Sequence, residues 1–114
     1  MKIVSYGGES FITSDDAAEA LLLFAAAAAI NNIAEVIEVP SLRDDGRLIT
    51  VSLVIGPASE LIAFDVDSDF DEPDTSDSVR LLRERAATLG ASSHVLHASP
   101  FESADSTSEY SDDV

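Results

Sequence analysis

The spacing of hydrophobic residues changes period several times along this chain, and each change marks an element. Ile3, Val4 and Tyr6 predict a short strand over Lys2 to Tyr6, and Gly7-Gly8 ends it in a turn. Thr13 stands where a helix cap is expected, with Asp16 three residues on and both Asp15 and Asp16 at the positive end of the helix dipole. The helix then runs from Ala17 to about Ile30 in strong helix formers and stops at Asn31-Asn32, since asparagine suits a left-handed helix end. Ile33 to Val39 is rich in β-branched residues as far as Pro40, and Leu48 to Ile55 alternates Ile49, Val51, Leu53 and Ile55 against Thr50 and Ser52. Asp45-Gly46 between these two strands predicts an antiparallel hairpin. After Gly56-Pro57, Leu61 to Val66 reads as a third strand of the same meander, and Asp67 to Asp77 as a loop. A second helix is expected from Ser76 or Asp77 to Gly90, with Val79, Leu82, Ala86 and Leu89 on one face. His94 to Ala98 predicts a last short strand, closed by Pro100.

The order β-α-β-β-β-α-β most simply gives an α+β fold. Its expected form is two-layer, with a mainly antiparallel sheet of about five strands and both helices on one face. Ferredoxin-like topology with one strand added is the nearest common relative, and that analogy implies no function. Residues 1–100 are expected to form a single domain. Phe101 to Val114, dominated by Ser, Asp, Glu and Thr, is expected to be a disordered acidic tail.

Composition refines this picture. With 46% hydrophobic residues in 114, the chain has enough apolar surface to fold. It contains no cysteine, so disulfides, thiolate metal sites and a cysteine nucleophile are out of reach, and cytoplasm is the expected location. The apolar run Ala20 to Ile30 is too short to span a bilayer and follows Asp15, Asp16 and Glu19, which argues against a membrane segment or a secretory signal. The formal net charge is −16, so nucleic acid and anionic membranes are not expected partners. Seven acids lie in Asp65 to Asp77 and five in Phe101 to Val114, with no base in either stretch; the remainder sets ten acids against six bases. Most of the charge excess therefore belongs to two solvated segments. A single Lys against five Arg, with 16 Ala, fits a GC-rich genome or a saline habitat.

The first helix is the least ordinary feature. Leu21, Leu22, Leu23 and Phe24 are consecutive and spread large apolar groups around most of its circumference, more than one sheet face can cover. Either the second helix and the Asp67 to Asp77 loop cover the rest, or a second copy of the chain does. For such a dimer the contact residues are Leu22 and Phe24, which supply buried area, and Ala25, Ala26 and Ala29, which permit close approach.

Reactive constellations are sparse. LIAFDVDSD, Leu61 to Asp69, resembles the first motif of haloacid-dehalogenase-type phosphatases, which would make Asp65 the nucleophile and Asp67 the acid/base. The chain departs from that family with Ser68-Asp69 in place of Gly-Thr or Gly-Val. The alternating Asp65, Asp67, Asp69 and Asp71 suit a hard cation, but neither register of an EF-hand loop finds its glycine or its twelfth-position Glu. A solvated loop without metal is expected. His94 and His97 would point to opposite faces of a strand and cannot share an ion, and Arg80, Arg83 and Arg85 are read as partners for the neighbouring acids. No catalytic residue and no cofactor fingerprint emerges.

The opening KIVSYGGESFITSDDAAEALL and the later VSLVIGPASELIA resemble small uncharacterised proteins of GC-rich actinobacteria, a likeness that implies no activity, cofactor or site residue. The leading expectation is a non-catalytic protein-interaction module that self-associates, possession of a further protein partner being compatible with it. The alternatives are a small-molecule or divalent-cation-binding regulatory domain, and a small enzyme whose site converges from scattered positions.

Overall fold

The computed structural model describes residues 1–93. The predicted strand His94 to Ala98, both histidines and the predicted tail Phe101 to Val114 lie outside the described residues. The elements in chain order are β1 (Lys2–Tyr6), β2 (Glu9–Thr13), α1 (Asp15–Asn31), β3 (Glu35–Leu42), β4 (Leu48–Ile55), β5 (Leu61–Asp65) and α2 (Ser76–Ser93). The strands form one antiparallel sheet in the order β4-β3-β2-β1-β5, and with the two helices they make the α+β fold.

The first difference from the sequence reading is β2, which occupies residues between the Gly7-Gly8 turn and the expected helix cap at Thr13 that have no predicted element of their own. Gly7 and Gly8 take φ of +60° and +84°, the signature of a two-residue turn whose twist matches the flanking strands, so Tyr6 pairs with Glu9 and the chain returns along β1. Thr13 is consequently the last residue of a strand. Its buried hydroxyl donates to the Pro40 carbonyl at 2.9 Å, and the cap of α1 falls to Ser14, whose Oγ accepts from the Ala17 amide at 3.0 Å. At the far end Asn32 adopts φ 55°, ψ 48°, and its N–H reaches the carbonyls of Ala28 and Ala29, as asparagine at a helix end predicts.

The second difference is the partner of β5. It does not extend the β3-β4 meander; it pairs with β1 from Tyr6↔Leu61 to Lys2↔Asp65. The Tyr6 hydroxyl donates to the Val54 carbonyl and lies 3.0 Å from Ser59 Oγ, which in turn accepts from the Gly56 amide at 2.8 Å. These bonds pin the turn after β4 against the end of β1. The chain then runs back along β1, where Leu61 and Ala63 pack against the core.

β3 continues through Pro40 to Leu42. Ser78 Oγ donates to the Glu38 carbonyl at 3.2 Å and Thr13 to that of Pro40, so the even positions of β3 turn their backbone groups away from β4. The missing N–H of Pro40 therefore falls outside the β3-β4 ladder and breaks no bond in it. Ile37, Val39, Leu53 and Ile55 face inward beneath the helices, joined by Val4, Phe11, Leu21, Phe24 and Leu82 in one core.

At the hairpin turn, Gly46 has φ +88°, and a Cβ built on it would stand 2.5 Å from the ring of Phe70. The acidic loop thus packs an aromatic ring on the turn. Gly46→Ala is expected to cost about 1 to 2 kcal/mol, from the left-handed backbone and the displaced ring together. The check is a lower urea midpoint at unchanged slope; an unchanged midpoint would mean that the ring moves aside freely.

Candidate interface on the first helix

α1 places its residues at about 100° intervals, and its buried positions, Ala17, Ala18, Ala20, Leu21, Phe24 and Ala28, gather on one side. The opposite side carries Leu22, Leu23, Ala26, Ala29 and Ile30, all exposed, in an arc of roughly 120° centred on Ala26. Leu22 is 39% exposed, Leu23 55% and Ile30 55%, which in three large aliphatic side chains leaves a continuous apolar strip. No charge interrupts it between Glu19 and Glu35. α2 also packs against α1, yet these five positions stay open to solvent.

Of the five expected contact residues, Leu22, Ala26 and Ala29 lie in the strip and Ala25 is half-buried beside it. Phe24 is a correction: it is 0% exposed, at the centre of the protomer's own core, because it lies on the side of the helix that faces the sheet. Leu23 and Ile30 take its place. Their heptad spacing is visible in the sequence, but only the orientation of the helix shows that this spacing faces outward.

The aspartates behave otherwise than a phosphatase motif would. Asp65 ends an edge strand of an antiparallel sheet and pairs with Lys2 across the β1-β5 ladder. The Lys2 hydrogen bond first, and its charge second, hold the Asp65 carboxyl below the usual carboxylate range. The Asp65 hydrogen bond likewise raises the Lys2 ammonium, against some desolvation, with help from the charges of Asp65, Asp15 and Glu19. Asp74 is lowered by hydrogen bonds from the Ser76 hydroxyl and amide. Among the described residues, no three His, Asp or Glu side chains gather into a group that could hold a metal ion.

Because the folded Asp65 carboxyl titrates below its unfolded value, its stabilisation is present above the ordinary carboxylate range and is lost as pH falls through the lowered value. For Lys2, raised on folding, the stabilisation is present below the ordinary lysine range and is lost as pH rises past it. The pair therefore acts across neutral pH, weakly, since both groups meet solvent. Asp65→Asn is expected to lower the urea midpoint slightly at neutral pH and to match wild type in strong acid. A difference that persists unchanged in acid would show that the charge of Asp65 is not the cause.

Two of the three arginines on α2, Arg80 and Arg85, are engaged in ion pairs. Arg85 pairs with Glu35 on β3, and Arg80 lies 3.3 Å from Asp77 and 3.9 Å from Glu84. A cleft of about 770 Å³ between the two helix starts is lined by Asp15, Asp16, Glu72 and Asp74 as well as Arg80 and Arg83, so its charges oppose one another. No helix among the described residues is long and apolar enough to cross a membrane. Comparison with protein families, with curated proteins and with solved structures finds no match to this chain.

Proposed function

We propose that this protein is a non-catalytic interaction module that self-associates through the outward face of α1. The observation that carries the reading is the uncharged strip of Leu22, Leu23, Ala26, Ala29 and Ile30 on a chain of net charge −16. A Leu or Ile taken fully out of water is worth about 1.5 to 3 kcal/mol, so the three partly exposed aliphatic chains hold roughly 2 to 4 kcal/mol per protomer. Two protomers double that gain. Association costs at least about 4 kcal/mol in lost freedom of motion, which places the dimer in the weak range. The small residues at the centre let two helix backbones approach closely, and a two-fold dimer is the commonest closed arrangement for such a face.

The test is sedimentation equilibrium on wild type and on Ala26→Glu at concentrations up to a few millimolar, the range in which a net gain of at most about 4 kcal/mol populates a dimer. Ala26 is exposed in the protomer, so the new carboxylate meets water in a monomer and apolar side chains in a dimer. Wild type is expected to sediment as a dimer, and Ala26→Glu as a monomer with unchanged circular dichroism. A monomeric wild type, or an Ala26→Glu protein that remains dimeric, would overturn the reading.

A further inference from the structure

We infer that the two copies meet with their α1 helices antiparallel, on a two-fold axis that passes Ala26; this rests on the α1 interface proposed above. Ala26 is both the angular centre of the exposed arc and the midpoint of its length. A two-fold axis there sets Leu22 against Ile30 of the second copy and Leu23 against its Ala29, while the two Ala26 residues face each other. Large side chains thus close both ends of the contact, small ones occupy its centre, and a large residue meets a small one between. That alternation is what ridges packing into grooves require. The strip is in this sense complementary to itself, which is the argument for a second copy over an unrelated partner.

Charge decides the direction. Asp15, Asp16 and Glu19 continue the same side of the helix at its start, and α1 contains no Lys or Arg to offset them. A parallel pair would bring six carboxylates together at one end. An antiparallel pair keeps the two acidic starts apart by most of the length of a 17-residue helix, roughly 25 Å, well beyond the screening length of about 8 Å at physiological salt. The helix dipoles also oppose one another in the antiparallel arrangement.

The absence of cysteine from the chain makes the arrangement directly readable, because an introduced thiol can link only to its own counterpart. A disulfide needs Cα atoms about 4.4 to 6.8 Å apart. Under mild oxidation, Ala26→Cys is expected to form a covalent dimer by itself. Leu22→Cys alone is expected to remain uncrosslinked, whereas an equimolar mixture of Leu22→Cys and Ile30→Cys is expected to give the covalent dimer. Efficient linking of Leu22→Cys to itself would overturn the antiparallel arrangement and indicate a parallel one. A wild type that sediments as a dimer while none of these variants crosslinks would place the interface away from α1. A monomeric wild type would instead remove the self-association reading itself, so the failures are distinguishable.

Discussion

Phe24→Ala is expected to cost about 3 to 5 kcal/mol of folding stability, while Leu23→Ala, one residue earlier, is expected to cost about 1 kcal/mol or less in the monomer. Phe24 is fully buried and is the largest side chain so enclosed, packed in a cluster with Leu21, Ile55 and Leu82. Truncating it removes the transfer energy of a benzyl group and leaves a void that the rigid sheet cannot close. For a domain whose total stability is about 5 to 15 kcal/mol, this is a large share. Leu23 is 55% exposed, so its truncation removes contacts from one side only. Urea unfolding at low micromolar concentration measures both. A Phe24→Ala loss below about 1.5 kcal/mol would contradict the buried position, since a cavity of that size does not come so cheaply. Leu23→Ala carries an additional signature: if α1 forms the interface, its cost grows with protein concentration, because dimerisation stabilises the folded wild type by mass action.

Ser14→Ala is the second large effect, expected at about 2 to 4 kcal/mol, and its size comes from two roles of one hydroxyl. Ser14 Oγ accepts from the Ala17 amide and so caps α1, and it also lies 2.6 Å from Thr75 Oγ1, both residues being buried. The Thr75 carbonyl accepts the first amide bond of α2, from Val79 at 2.9 Å. The starts of the two helices are thus joined through a single hydroxyl pair. Loss of the cap alone costs about 1 kcal/mol, and leaving the Thr75 hydroxyl buried without its partner adds about 1 to 3 kcal/mol. Thr75→Val in the Ser14→Ala background should then restore part of the loss, as the orphaned hydroxyl is removed. Strict additivity in that double-mutant cycle would mean that the two hydroxyls are not coupled.

What the sequence determined by itself was whatever depends on neighbours in the chain. The body of α1 and its Asn32 terminus, the β3-β4 hairpin about Gly46, and the inward face of α2 at Val79, Leu82, Ala86 and Leu89 all follow from helix propensity, turn chemistry and periodicity. β2 was legible in principle. Gly7-Gly8 is a two-residue hairpin turn as well as a strand breaker, and ESFIT after it alternates polar and apolar residues, but five residues between a glycine pair and a helix cap are a faint signal. The cap itself turned on one position, because Thr13 and Ser14 both carry suitable hydroxyls and only the pleat of β2, which turns Thr13 inward to Pro40, leaves Ser14 to do it. Only the tertiary structure decided the rest. Pairing of β5 with β1 joins residues about sixty positions apart and depends on Tyr6 reaching Val54 and Ser59, contacts that no local pattern announces. The outward face of α1 was undecided for a related reason: with Leu21 to Phe24 all apolar, the helix has no polar side to indicate which way it turns. Leu21 and Phe24 entered the core that the sheet and α2 share, and Leu22, Leu23 and Ile30 were left to the surface by the geometry of a helix that two layers cannot enclose.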